Sequence, residues 1–179
     1  MAAPKKRYDK VKLRHSNSWM LPPLDHRGLL PEGIHTATLA EIEQAFATNV
    51  TRQHLLQEFR RFIREQLSAT AAGLEVYASG SYFSDKAVPG DIDCTVPIPI
   101  PQVASRLAVV NLTNDGRSTT QKGALWDNYR VDFWVSLGIP GHHDFVAFFQ
   151  YVGIKTAALK HLSEKDKRGI VRVDQWALG

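Results

Sequence analysis

Along the chain, segments whose apolar residues recur with a helical period alternate with short continuous apolar runs. Apolar residues recur every three or four positions over residues 51–69, which predicts a long helix. Thr38 and Glu41 are spaced as a capping box, and this spacing predicts a short helix that runs through about Phe46. A third helical pattern covers residues 144–161. The side chains expected on its inner face are Phe145, Phe148, Phe149, Val152 and Leu159.

Short apolar runs bounded by turn residues predict four strands. They cover residues 74–78, 91–97, 129–137 and 170–176. Residues 102–110 are expected to form a further helix, whereas the polar residues 111–123 have no period and are expected to form a loop near the site. Pro97, Pro99 and Pro101 are expected to keep the far end of the second strand out of the centre of the sheet. The interleaved pattern predicts an α/β or α+β fold, a small mixed sheet with helices packed on one side.

The N-terminal part of the chain differs from the rest in composition. Residues 1–28 form a basic, proline-containing segment, and residues 29–179 are expected to form the folded domain. Six of the first 14 residues are Lys or Arg, against a single Asp. Such an arm suits RNA or another polyanion, and a solvated tail is the alternative that stays open. Leu21 and Leu24, together with Trp19 and Met20, are the expected anchors of the extended segment that follows.

The composition excludes several classes of protein. With 44% hydrophobic residues the chain can bury an ordinary core, and its net charge is +4. No apolar run approaches the roughly 20 residues that span a bilayer, so no membrane association is expected. The basic N-terminus lacks the apolar stretch of a secretory signal. Cys94 is the single cysteine, so no intramolecular disulfide can form, and a cytoplasmic location is expected.

The stretch between residues 77 and 93 carries the strongest chemical signal. Gly80-Ser81 follows a predicted strand, where a residue without a Cβ lets backbone N–H groups and a hydroxyl approach a phosphate. Asp91 and Asp93 open the next strand. Residues two apart on a strand point to the same face, so both carboxylates can converge on one hard cation. Phosphate binding beside paired carboxylates is what Mg²⁺-dependent phosphoryl or nucleotidyl transfer needs.

A third carboxylate is predicted on a later strand. Asp132 interrupts the apolar and aromatic run Val131-Asp-Phe-Trp-Val135, and a buried carboxylate without partners is costly. It is expected to complete the metal site and to accept the proton of an attacking hydroxyl. A solvent-facing position on a half-exposed strand is the alternative. Asp127 and Asp144 are the fallback candidates for this role.

The order Gly80-Ser81, nine residues, Asp91-Ile92-Asp93 resembles the signature of the nucleotidyltransferase superfamily, which has the DNA polymerase beta-like fold. The chain also resembles a small bacterial family with this signature over residues 29–174. The matching pieces are Leu29–Thr38, Gly80–Phe83, Lys86–Asp93, Phe148–Gln150 and Arg168–Arg172.

The resemblance implies a nucleotidyltransferase that moves a nucleoside monophosphate from an NTP, such as ATP, to a hydroxyl acceptor. Asp91, Asp93 and Asp132 would hold Mg²⁺ or Mn²⁺, and Gly80 and Ser81 would bind the phosphates with help from Lys86. The short chain is similar to minimal nucleotidyltransferases, some of which act in toxin–antitoxin or phage-defence pairs. Their acceptors imply an RNA 3′ end or a protein side chain here, and a possible cognate partner protein.

Two other classes stay open from the sequence. A catalytically silent protein of the same fold would bind a partner protein or a nucleic acid, and the intact set of three carboxylates argues against it. A glycosyltransferase also uses Asp-x-Asp with nucleotide sugars. The preceding Gly80-Ser81 and the short chain argue against that class.

Overall fold

The structure is a computed structural model that describes residues 21–118 and 120–176. One mixed sheet contains β1 (Gly33–Thr38), β2 (Val76–Ser79), β3 (Ile92–Ile98), β4 (Val131–Leu137) and β5 (Gly169–Asp174). The strands lie in the order β1-β5-β2-β3-β4. The outer pairs β1–β5 and β3–β4 are parallel, whereas β2 runs antiparallel to both of its neighbours. This mixed α+β architecture confirms the predicted fold class.

The described residues also form six α-helices. They are α1 (Leu39–Phe46), α2 (Val50–Phe62), α3 (Leu107–Asn111), α4 (Ala124–Tyr129), α5 (Phe145–Phe148) and α6 (Ile154–Lys160). The long predicted helix over residues 51–69 is α2 continued by a π-helical turn, Ile63–Leu67. The helix predicted over residues 102–110 is wrong in its first part, because two 3₁₀ turns precede α3. Helix α4 was not predicted.

Capping residues fix where the first two helices begin. The Thr38 hydroxyl accepts a hydrogen bond from the Glu41 backbone N–H, and the Glu41 carboxylate accepts one from the Thr38 backbone N–H. This reciprocal pair confirms the predicted capping box. Asn49 caps α2 in the same manner by accepting from the Arg52 backbone N–H. Both helices therefore begin where the sequence supplies a partner for their free N–H groups.

The sheet separates an apolar core from a polar face. Alternate residues of β3, Ile92, Cys94 and Val96, are fully buried in the main hydrophobic core with the apolar side of α2. The residues that alternate with these three in β3 point to the opposite face of the sheet. That face is partly covered by α5, because the Phe145 backbone N–H donates to the Ser136 hydroxyl of β4. The expectation that helices pack on one side only is therefore wrong.

The helix predicted over residues 144–161 is also wrong, because the chain leaves the helical conformation between Phe148 and Ile154. Gly153 precedes α6 in an extended conformation. The break changes which side chains face inward. Val152 is buried as expected, but Phe148 is 59% exposed and Leu159 is 72% exposed.

Strand β1 forms one edge of the sheet, and the sequence pattern does not predict it as a strand. Strand β1 lies in a stretch expected to be merely extended, and it becomes a strand by pairing with β5 from Gly33↔Gly169 to Thr38↔Asp174. The expectation for the prolines is confirmed. Strand β2 pairs with β3 only as far as Thr95, so Pro97 has no neighbour on that side and pairs with β4 alone.

The N-terminal predictions fall partly outside the described residues. Leu21 and Leu24 are half-buried and pack against the main core, as expected of anchors. Trp19, Met20 and the basic residues 1–14 lie outside the described part of the chain, and the division at residue 28 stays a prediction. Within residues 21–118 and 120–176, no helix has the length and apolar character needed to cross a membrane.

Candidate active site

The Gly80-Ser81 turn lies directly against one of the predicted carboxylates. Gly80 has a φ of 91°, a conformation that residues with a side chain rarely adopt. A Cβ built on Gly80 would lie 2.2 Å from Asp93 Oδ2. Only glycine fits both the turn and the contact. The absence of a side chain at Gly80 therefore allows the turn to contact the Asp93 carboxylate directly.

A buried arginine side chain binds the backbone of the same turn. Arg168 precedes β5 and is 4% exposed. Its guanidinium donates to the carbonyls of Gly80, at 2.8 Å, and Phe83, at 3.1 Å, at the two ends of the 3₁₀ turn Ser81–Phe83. Among the residues that the structure describes, none forms a hydrogen bond with its buried Nε. Burial lowers the pKa of Arg168, and the nearby charge of Asp93 opposes that effect.

Three polar side chains form a row across β2, β3 and β4 at one end of the sheet. Asp93 of β3 stands opposite Ser79 of β2 and opposite Asp132 of β4. Residues directly opposite one another in neighbouring strands point to the same face. Asp91 lies just before β3, two residues from Asp93. The structure thus brings the three predicted carboxylates to one end of the sheet, next to the glycine turn.

Burial and the neighbouring carboxylates together perturb the pKa of Asp93. Burial, and then the charges of Asp91 and Asp132, raise the pKa of Asp93 to about 7. Lys122 and Arg168 oppose this shift, with smaller effects. Ionising all three carboxylates of this site is costly, and a bound divalent cation would offset that cost.

Lys122 already places one positive charge between two of these carboxylates. Its Nζ lies 2.6 Å from Asp132 Oδ2 and 3.2 Å from Asp91 Oδ2. Burial lowers the pKa of Lys122, but the hydrogen bond and charge of Asp132 and the charge of Asp91 raise it above the usual value. Trp126 Nε1–H also donates to Asp91 Oδ2, at 2.9 Å. Asp91 and Asp132 therefore share one ammonium group.

Arg117 supplies a second positive charge to the site. Its guanidinium donates to Asp132 Oδ1 at 3.1 Å and to both oxygens of Asp115. It also lies over the Trp134 ring, with 4.5 Å between the guanidinium carbon and the ring centroid. Asp115 in turn accepts from the Leu125 backbone N–H at 3.4 Å. Arg117 is thus fixed on several sides, unlike Lys122.

The other predicted residues lie at the margin of the site or outside it. Ser81 follows Gly80 in the turn and is half-buried, whereas Lys86 is exposed and forms a backbone hydrogen bond to Ser84 Oγ. The fallback candidates are not part of the row. Asp127 is exposed on α4, and Asp144 caps α5 by accepting from the Ala147 N–H.

Sequence reasoning missed four residues of the site: Arg117, Lys122, Trp126 and Arg168. The first three lie in or beside the polar stretch 111–123, which was expected only to be a loop near the site. The charged residues of this loop were the available signal, but their spacing has no period that indicates a partner. Arg168 lies in Arg168–Arg172, one of the segments that resemble the bacterial family, and that resemblance implies no role for it.

The chemistry of the donor set suits a hard cation, although no ligating geometry is formed. Among residues 21–118 and 120–176, no three His, Cys, Asp or Glu side chains are arranged as a metal site. Two of the three carboxylates nevertheless bind a single cationic group, the Lys122 ammonium. Carboxylate oxygens are the ligands that Mg²⁺ and Mn²⁺ prefer. The residues present therefore fit a divalent cation.

A separate cleft of about 780 Å³ lies at the opposite end of β3 and β4. Pro97, Ile98, Leu137 and His142 are among the residues that line it. It contains none of the three carboxylates and neither residue of the glycine turn. We assign the chemistry to the carboxylate end, because charged groups converge there and the cleft is mainly apolar.

Comparison with known proteins adds a family but no activity. A family model described as a family of unknown function (DUF6932) matches residues 22–174. The chain belongs to this family. No curated protein and no solved structure matches the chain. The family match spans β1 to β5 and every residue of the candidate site.

Proposed function

We propose that this member of DUF6932 is a metal-dependent nucleotidyltransferase that moves a nucleoside monophosphate from an NTP to a hydroxyl group. One observation carries the proposal: Asp93 lies against Gly80 on one side and opposite Asp132 on the other. A phosphate-binding turn and a set of carboxylates share one end of the sheet. This is the arrangement expected for the nucleotidyltransferase superfamily that the sequence resembles.

Each residue has a role that its position supports. Gly80 exposes backbone where a phosphate can approach, and Ser81 adds a hydroxyl to the same turn. Asp91, Asp93 and Asp132 would hold Mg²⁺ or Mn²⁺, which would neutralise the phosphates and stabilise the charge that develops during transfer. Asp132 would accept the proton of the acceptor hydroxyl. Lys86 is a further candidate phosphate ligand.

The acceptor is proposed from the resemblance rather than from a binding surface. An RNA 3′ end or a protein side chain provides the hydroxyl, and the protein acts in the cytoplasm. A cognate partner protein and a role in a toxin–antitoxin or phage-defence system belong to the same proposal.

The proposal is tested by label transfer. The protein is incubated with each α-³²P-labelled NTP, Mg²⁺, total RNA and cell lysate, and products are separated by electrophoresis. We expect label on one RNA or protein species, released pyrophosphate, and a loss of at least ~100-fold in Asp93→Asn, because that carboxylate touches the phosphate turn. Transfer that persists in folded Asp93→Asn overturns the assignment of the site.

Asp174→Asn is the matched control for this experiment. Asp174 is exposed at the last position of β5, far along the sheet from the row that contains Asp93. Its replacement removes the same charge and should leave transfer unchanged. Circular dichroism of both variants separates a lost reaction from a lost fold.

A catalytically silent binding protein is the second candidate, and one observation favours it. Lys122 and Arg117 already neutralise Asp91 and Asp132. Such internal ion pairs would preserve the fold without any cation. No label transfer with any NTP, in a folded protein supplied with lysate, would favour this candidate.

A further inference from the structure

We infer that Lys122 occupies the cation site between Asp91 and Asp132, and that a divalent cation binds only by displacing it. The inference rests on the proposed function for the identity of the metal-binding carboxylates. It assigns to Lys122 a function that sequence reasoning did not suggest. Three features of the contacts of Lys122 support this role.

The first feature is the set of atoms that Lys122 contacts. Its ammonium lies within hydrogen-bond distance of one oxygen of Asp132 and one oxygen of Asp91. These two residues are proposed metal ligands. A lysine ammonium and a divalent cation cannot both be neutralised by the same two oxygens, because like charges at that separation repel.

The second feature is the difference in exposure between the partners. The Lys122 side chain is 47% exposed, whereas those of Asp91 and Asp132 are 22% and 17% exposed. The lysine stem is flexible and can withdraw into solvent without opening the core. The carboxylates are held in place, so Lys122 is the partner that moves.

The third feature is the contrast with Arg117. Arg117 binds the other oxygen of Asp132, and it is anchored by Asp115 and by the Trp134 ring. It can therefore stay in place while Lys122 leaves. Arg117 orients the Asp132 carboxylate, and Lys122 occupies the oxygen that remains.

The test measures Mn²⁺ affinity by electron paramagnetic resonance, without nucleotide or acceptor. Lys122→Gln removes the ammonium and keeps a polar side chain of similar length. We expect it to bind Mn²⁺ roughly tenfold more tightly than the wild-type protein, the scale set by two partly exposed ion pairs. Lys122→Met serves as a second variant in case the glutamine amide itself holds the carboxylates.

Two controls locate the effect. Lys165→Gln makes the same chemical change at an exposed turn residue and should leave Mn²⁺ affinity unchanged. Adding Asp132→Asn to Lys122→Gln should abolish the gain, because it removes a carboxylate that both cations use. A gain in Lys165→Gln equal to that in Lys122→Gln would mean that net charge alone sets affinity, and it would overturn the inference.

The outcomes separate this inference from the proposed function. Tighter Mn²⁺ binding by both Lys122 variants supports it, as does binding that appears only in those variants. Equal or weaker binding by the folded variants overturns it. If label transfer is observed in the wild-type protein at the same time, the proposed function stands while the role of Lys122 falls. If neither transfer nor Mn²⁺ binding is found, both fall.

Discussion

Asp93 touches Gly80 on one side and stands opposite Asp132 on the other. At the residue scale, this position explains why its pKa is raised to about 7, first by burial and then by Asp91 and Asp132. A carboxyl group whose pKa is higher in the folded than in the unfolded chain favours folding when it is protonated. Its ionisation then opposes folding as the pH rises.

This shift predicts how the metal-free protein responds to pH. The destabilising effect of Asp93 is absent below its unfolded pKa near 3.8, grows as the pH rises, and is complete above about 7. In EDTA, Asp93→Asn should already be more stable than the wild-type protein at pH 5, by about 1–2 kcal/mol, and this advantage should grow by about another 2–3 kcal/mol at pH 8. Urea denaturation at the two pH values measures the difference.

Asp174→Asn is again the comparison for charge removal, because its carboxylate is exposed. The gain in stability between pH 5 and pH 8 should be confined to Asp93→Asn. If that variant and the wild-type protein respond identically to pH, burial and the charges of Asp91 and Asp132 do not raise the pKa of Asp93.

At the element scale, short polar signals decide where helices begin and end. The capping box of Thr38 and Glu41 fixes the start of α1, directly after β1. The apolar period predicted α2 well, but the same period failed over residues 144–161. The helix is interrupted before Gly153, and apolar residues on either side of the break are exposed. Periodicity alone does not locate such a break.

Removing the cap of α1 should destabilise the protein. Thr38→Ala deletes the hydroxyl that accepts from the Glu41 N–H, at 3.2 Å, so we expect a loss of about 1 kcal/mol in the free energy of unfolding. Thr38→Ser keeps the hydroxyl and should lose only a few tenths of that amount. Equal losses in the two variants, measured by urea denaturation, would show that the methyl group of Thr38 matters more than its cap.

At the scale of the whole molecule, Arg168 links the segment before β5 to the Gly80-Ser81 turn. It donates to the Gly80 carbonyl across 88 positions of sequence. The strand that follows it, β5, lies between β1 and β2 in the sheet. The glycine turn therefore depends on the closing strand of the fold as well as on its own sequence.

Replacing this arginine should affect both stability and nucleotide binding. Arg168→Met leaves two buried carbonyls without their charged donor, and we expect a loss of about 2–4 kcal/mol in the free energy of unfolding. The KM for the NTP should rise more than kcat falls, because the turn is displaced while the carboxylates remain. Steady-state label transfer and urea denaturation measure the two effects.

Arg172→Met is the matched control, and Arg172 lies in β5, the strand that follows Arg168. Arg172 forms an exposed ion pair with Glu75, at 3.0 Å, and such pairs contribute little. Its replacement should change stability by no more than about 0.5 kcal/mol and leave the KM unchanged. Equal effects of the two substitutions would mean that Arg168 does not position the turn.

The sequence by itself determined the mixed α+β class, the helices α1 and α2, and four of the five strands, because caps and hydrophobic periods are local signals. It also identified Gly80, Asp91, Asp93 and Asp132 as candidates, since their spacing along strands is local too. The pairing of β1 was decided only in the tertiary structure. An edge strand of mixed polarity is stabilised by its neighbour β5 rather than by its own pattern.

The tertiary structure alone decided which charges surround the carboxylates. Lys122 and Arg117 come from a loop without a period, and Arg168 comes from the far end of the chain. Their side chains reach the site through contacts between residues that are distant in sequence, and no local pattern encodes such contacts. The physical reason is that two charged groups interact when they are close in space, whereas the formation of helices and strands depends on the spacing of residues along the chain.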